Sequence, residues 1–224
     1  MPPPSGSGLI LDFDGTILDT EDSIFRSWAE LWDDHGHRLD RSDWQRNIGT
    51  EDSFDPWVEL EARLGLSLDP DLAHRRRLRR DELQATRPRA GILSWLDQAA
   101  DARIPVGIAS SSPSEWVEGH LERLGIRHRF SGVVCRSDTV PAKPDPECYR
   151  LACAYLAVDP NRSVAVEDSP HGVAAAVGAG LFTVAVPHPL TGDLDLSAAD
   201  LVVESLDQVE LIDTLELARR RPPR

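Results

Sequence analysis

Hydrophobic and polar positions follow two rhythms along this chain, and the change between them divides it. Leu9-Ile10-Leu11 is a short apolar run bounded by Gly8, which reads as a buried strand. From Asp19 the rhythm becomes helical. Asp19-Thr20-Glu21-Asp22 supplies capping residues and first-turn acids, and Ile24, Trp28, Leu31 and Trp32 then recur at helical spacing up to Gly36. Further helices are predicted around 43–48, over 54–64 with Trp57, Leu60 and Leu64 on one face, and over 70–85. None of this stretch alternates as a strand does. Pro88 and Gly91 punctuate 87–91, which reads as a hinge. Beyond it the spacing predicts helices over 92–102, 114–124, 146–156, 171–177 and 206–217, interleaved with strands over 105–109, 132–135, 163–166, 182–186 and 201–203.

Repeated strand–helix units with short connections imply an α/β fold: a parallel sheet covered on both faces, with an all-helical block inserted after its first strand. Ligands of such sheets bind outside the carboxyl ends of the strands. Each polar cluster of interest falls at such an end: Asp12 and Asp14, Ser110, and Glu167 with Asp168.

Composition narrows the class. With 224 residues, 41% hydrophobic and 28% charged, the chain is globular. A net charge of −14 argues against a nucleic-acid surface. No apolar run reaches the roughly 18 residues of a membrane span. The stretch 1–7 has neither a basic nor an apolar signal region, and reads as a frayed tail. Cys135, Cys148 and Cys153 are odd in number and form no C-x-x-C pair, so a reduced, cytoplasmic setting is expected and each cysteine reads as a core residue. Of 24 basic residues only Lys143 is a lysine, which singles out its compact point charge.

The clustered residues suit phosphoryl transfer. Residues i and i+2 of an extended chain share a side, so Asp12 and Asp14 are expected to converge, with Gly15 turning the backbone behind them. Carboxylates repel a phosphate dianion unless a cation bridges them, which calls for Mg2+. Asp12, Asp14 and Asp168 would hold it, with Glu167 direct or through water. Ser110 and Lys143 would supply a hydroxyl and an ammonium to the phosphoryl oxygens. One carboxylate can attack phosphorus in line, and another can serve as general acid and then base.

With these residues the chain closely resembles the haloacid dehalogenase (HAD) superfamily. Asp12-Phe13-Asp14-Gly15-Thr16 is similar to its first motif, Ser110 to its second, Lys143 in Ala142-Lys143-Pro144 to its third, and Glu167-Asp168-Ser169 to its fourth. The resemblance covers essentially the whole chain. It implies a Rossmann-like core, 1–18 and 89–224, carrying a small helical cap domain, 19–88. It also implies Asp12 as nucleophile, Asp14 as acid/base, and Mg2+ on Asp12, the Asp14 backbone carbonyl and Asp168. Asp14 points to phosphate chemistry, since dehalogenases lack that second aspartate, and the absence of a cap lysine disfavours phosphonate cleavage.

The nearest-looking group holds β-phosphoglucomutase and small sugar-phosphate phosphatases. Its mutases carry a cap histidine where this chain has Ile24, and a basic residue near 49–52 where this chain has none. The resemblance therefore implies a phosphatase acting on a small phosphorylated metabolite, without nucleic-acid or membrane partners, as a monomer or weak dimer. A mutase and a catalytically silent regulatory protein are the alternatives.

Other residues carry plainer expectations. Ser111 and Ser112 read as a polar turn and helix cap, with the Ser111 amide available to the substrate phosphate. Asp19 and Thr20 read as caps, Thr50 and Glu51 as a solvated turn, His171 and His188 as surface residues, the run 75–80 as a solvated arginine face, and the six tryptophans as packing anchors.

Overall fold

A computed structural model describes residues 6–45, 54–137 and 139–222. The strands are β1 (Leu9–Leu11), β2 (Val106–Ser110), β3 (Gly132–Cys135), β4 (Val164–Glu167), β5 (Phe182–Ala185) and β6 (Leu201–Val202). They form one sheet in the order β3-β2-β1-β4-β5-β6, parallel throughout. Leu9 is in register with Val106 on one side and Val164 on the other. The chain thus builds outward from β1 in one direction and returns to build outward in the other. Such a reversal opens a crevice at the carboxyl ends of β1 and β4.

Alternation along β1 feeds two cores. Leu9 and Leu11 join a cluster with Ile108, Val166 and Val184 beneath α5 (Ile92–Asp101), α6 (Ser114–Arg123) and α9 (Leu211–Arg220). Ile10 faces the other way, with Ala109 and Ala165, under α7 (Glu147–Leu156) and α8 (Pro170–Gly178). Cys148 and Cys153 sit in that second cluster, and burial pushes their thiols up to about 11 and about 12. They are core residues, as expected.

Between β1 and β2 lie α1 (Glu21–Asp34), α2 (Arg41–Gln45), α3 (Pro56–Leu64) and α4 (Pro70–Leu83). Asp55 and Asp69 cap α3 and α4, each ahead of a proline in the first turn. Trp32, Trp44, Leu31 and Leu60 fill a separate core between these helices. The expected 43–48 helix begins earlier, at Arg41; positions 46–48 of that expectation lie outside the described residues, as do Thr50 and Glu51.

Two differences from the expected pattern have local causes. The helix expected over 206–217 is a short 3-10 turn, Leu206–Gln208, followed by α9. Val209 between them is extended (φ −141°, ψ 147°), because its carbonyl accepts from the Trp95 indole and the next amide but one, Leu211, donates to Gln98. The 3-10 turn packs over Gly91, whose φ is +83° and where a Cβ would lie 2.5 Å from Leu206. The second difference is the loop after β5. Its Leu190 is buried in the cap core, and the Gln45 amide donates to its carbonyl at 2.8 Å. A strap from the sheet thereby reaches into the inserted helices.

Candidate active site

Lys143 stands in the middle of the crevice. Its ammonium lies 2.5 Å from Asp12 Oδ1 at the end of β1 and 2.5 Å from Glu167 Oε1 at the end of β4. All three side chains are buried. The loop that carries Lys143 is fixed by Ser111, whose hydroxyl accepts from the Lys143 amide at 3.1 Å. Burial disfavours the ammonium, but the two carboxylates outweigh it and hold Lys143 above its ordinary range.

Asp12, Glu167 and Asp168 form a trio whose ligand oxygens lie within 4.8 Å of one another. Burial pushes the Asp12 carboxyl up to about 7, with Glu167 and Asp14 adding to the rise and Lys143 opposing it. Asp168 rises well above the carboxylate range, again through burial first and then through Asp12 and Glu167. One ammonium against three buried carboxylates leaves a deficit of positive charge. Asp168 Oδ2 is moreover buried without a hydrogen-bond partner among the described residues, which native structures seldom tolerate. A buried oxygen donor set with an unpartnered oxygen and missing positive charge fits a hard divalent cation.

Two glycines are required by this cluster. Gly15 takes φ +78°, and a Cβ there would stand 2.2 Å from Asp168 Oδ2. Gly172, in α8, allows the Glu167 carboxyl to lie where a Cβ would be 1.9 Å from Oε2. The Glu167 oxygens are fully engaged: Oε1 by Lys143 and the Tyr149 hydroxyl (2.6 Å), Oε2 by the Asp168 amide (3.1 Å) and Ser169 (3.4 Å). Its position is that of a partner holding Lys143.

Asp14 stands outside that trio, although its charge is close enough to raise Asp12. Oδ1 accepts from the Thr20 hydroxyl (2.7 Å) and the Trp116 indole (2.8 Å), and Oδ2 accepts from Ser112 (2.6 Å). The Thr20 side chain makes no cap bond to α1, so it is a partner of Asp14 rather than the expected cap. Ser112, expected as a cap, donates to Asp14 instead, and Trp116 adds its bond to Asp14 to the packing role expected of it. Their donor groups lie about 100 positions from Asp14 in sequence, and no local pattern reveals such a contact.

Ser110 ends β2 buried, its hydroxyl accepting from the Ser112 amide at 3.0 Å. A cleft of about 320 Å3 opens beside it, lined by Asp14, Glu21, Ile24, Arg80, Ser112, Pro113 and Trp116. Glu21 is pushed up to about 8, by burial first and then by Asp14. Arg80 leaves the solvated face expected for its run, since its guanidinium stacks 4.7 Å over the Trp116 ring. Arg79 meets the expectation better, pairing with Glu30 and Glu82 at the surface. His188 is buried instead of exposed, with Nε2 2.8 Å from Asp19, and Asp19 also caps the Asp22 amide as expected. Arg89, in the hinge stretch, donates to the carbonyls of Gly15, Val186 and Pro187.

The comparisons with known proteins agree with this geometry. Residues 9–186 match the family model of the haloacid dehalogenase-like hydrolases. The chain is 38% identical to "Putative phosphatase YhcW" of Bacillus subtilis (strain 168), over 91% of this chain and 93% of that one. It is 32% identical to the fructose-1-phosphate phosphatase YqaB of Escherichia coli (strain K12), over 80% of this chain and 96% of that one. Among solved structures, CbbY of Rhodobacter sphaeroides in complex with phosphate superposes with a TM-score of 0.73 at 27% identity, covering 94% of this chain and 99% of that one. The chain belongs to the haloacid dehalogenase-like hydrolases, in the subgroup of β-phosphoglucomutase and CbbY-like phosphatases.

Proposed function

We propose that this HAD-type phosphatase hydrolyses a small phosphate monoester, of the sugar-phosphate class, through an aspartyl-phosphate on Asp12 and with Mg2+ as its cation. The observation that carries the reading is the buried trio Asp12, Glu167 and Asp168 around a single lysine at the carboxyl edge of the sheet. Asp12, Asp168 and the main-chain carbonyl of Asp14 would hold Mg2+, which would supply the positive charge that lets a phosphate dianion approach. Glu167 would add its charge to that site while holding Lys143.

The steps follow from the chain's own groups. Asp12 attacks phosphorus in line, and its short bond to Lys143 keeps the attacking carboxylate ionised and aimed. Lys143, the Ser110 hydroxyl and the Ser111 amide bind the phosphoryl oxygens as charge moves onto them. Asp14 protonates the leaving oxygen, then takes a proton from the water that releases phosphate. The inserted helices cover the crevice and exclude bulk water. The names of relatives support the substrate class: fructose-1-phosphate and N-acetylmuramic acid 6-phosphate phosphatases are 32% and 31% identical to this chain.

The test is a panel of phosphorylated metabolites with Mg2+ or EDTA, using wild type and Asp12→Asn. Turnover in Mg2+ alone, lost by at least about 10³-fold in the variant while the fold survives, is the expected result. Full activity in Asp12→Asn would refute nucleophilic catalysis by Asp12. Ile24, an apolar residue lining the cleft near Asp14, supports water as the acceptor. Dominant conversion of a glucose 1-phosphate to glucose 6-phosphate would establish a mutase instead.

A further inference from the structure

We propose that Trp116 is a positioning residue for the acid/base: its indole fixes Asp14 Oδ1 as the accepting oxygen, leaves Oδ2 to carry the proton, and ties that carboxyl to the inserted helices through Arg80. The inference rests on the reading of Asp14 as acid/base given above.

An indole N–H only donates, whereas a serine or threonine hydroxyl donates or accepts by rotating. Oδ1 receives the indole at 2.8 Å together with Thr20 at 2.7 Å, so a proton on that oxygen would face a donor that cannot turn away. Among the described residues Oδ2 is engaged by Ser112 alone, at 2.6 Å, and that hydroxyl can reverse. The asymmetry makes Oδ2 the oxygen that is protonated and deprotonated. Asp14 and Ser112 both line the cleft, so the exchange takes place at the wall of the substrate space.

The ring has two close neighbours. His120 lies against it with centroids 4.1 Å apart, and Arg80 from α4 covers it at 4.7 Å. Arg80 is in turn pinned by Asp81 at 2.6 Å. A guanidinium over an indole face is attractive, and most so where water is excluded. The cap thus presses on the group that aims the acid, and a displaced cap relaxes it. Lining the cleft on one side and bonding the catalytic carboxyl on the other, Trp116 couples closure to proton delivery.

The chemistry balances as follows. As an Asp12 oxygen bonds to phosphorus and the ester P–O bond breaks, the Oδ2 proton passes to the departing oxygen, and the alcohol leaves neutral. Asp14 is left as a carboxylate with Oδ1 still held. Oδ2 then takes a proton from the attacking water, and phosphate departs with Asp12 restored.

Trp116→Phe keeps the ring and removes the donor. The measurement is kcat/KM with Mg2+ for phenyl phosphate, whose leaving group needs a proton, and p-nitrophenyl phosphate, whose leaving group departs without one. This parameter reports steps up to leaving-group departure. A fall of about tenfold for phenyl phosphate and less than about twofold for p-nitrophenyl phosphate is expected, a fraction of the full effect of a general acid. Ser112→Ala, which leaves the packing intact, shows the same asymmetry, and Arg80→Gln a smaller one of the same sign. Equal losses on both esters, or none on phenyl phosphate, overturn the proposal, and an unchanged ratio in Arg80→Gln overturns the tie to the cap. Asp14→Asn separates the two readings. If it shows the asymmetry and Trp116→Phe does not, only the present inference fails. If Asp14→Asn shows none, the acid/base reading fails and takes the inference with it.

Discussion

Gly15 illustrates how one residue without a side chain decides the chemistry of several that have one. Its positive φ makes the tight turn that follows Asp14, and its missing Cβ leaves room for Asp168 Oδ2. Gly15→Ala is strained on both counts, by about 1–3 kcal/mol for the backbone alone. The larger effect is expected on the cation, because Asp168 must swing aside. Mg2+ affinity, read from the metal dependence of turnover, should weaken about 10- to 100-fold, as for disturbed partners of metal ligands elsewhere. An unchanged metal dependence in a folded variant would show that Asp168 does not hold the ion. At this scale the sequence was informative about Asp12, Lys143, Glu167 and Asp168, since strand ends and a solitary lysine are local signals. It was silent on the bond from Trp116 to Asp14 and misleading on Thr20, whose hydroxyl turns to Asp14 and not to the helix it precedes.

Among the elements, β1 and α3 were legible for the same reason: apolar spacing and a capped proline start are written within a few residues. The last helix was not. Residues 206–217 carry helical spacing, but Trp95 and Gln98 of α5 claim the backbone of Val209 and Leu211, and that tertiary demand splits the segment. The strap after β5 was equally hidden, because nothing near Leu190 announces that it belongs to a core more than 100 positions upstream. Its contribution is testable. Leu190 is 7% exposed within the cap cluster, and Gln45 and Arg41 both donate to carbonyls of the strap. Leu190→Ala should cost about 2 kcal/mol, the low end for a buried leucine because a loop can partly collapse. Urea denaturation measures this, and the variant should also admit protease to the inserted helices sooner. A loss under about 0.5 kcal/mol would mean that the strap merely touches the cap.

For the whole molecule, the buried trio makes stability, metal binding and pH one problem. Asp12 has its folded carboxyl raised to about 7 from an ordinary 3.8, and Asp168 is raised in the same direction. A carboxyl raised in the folded state holds a proton there that the unfolded chain has already released, so each rise in pH across that window disfavours folding. Its cost is absent below the unfolded value, grows as pH rises between the two values, and is complete above the folded one. The metal-free protein therefore loses stability from this cluster between about pH 4 and pH 7. Other groups act oppositely, such as Asp19, held low near His188 although burial opposes it, so the total curve alone does not isolate the trio. The difference made by Mg2+ does. At pH 5 the ion must displace protons from Asp12 and Asp168, whereas at pH 8 Asp12 is ionised and its repulsion is what the ion removes. A ligand bound only by the folded state stabilises in proportion to the logarithm of its concentration over Kd, so the rise in Tm at fixed Mg2+ should be several degrees larger at pH 8 than at pH 5. In Asp168→Asn that difference should shrink towards zero. An equal Mg2+ effect at both pH values would place the ion on groups other than the trio.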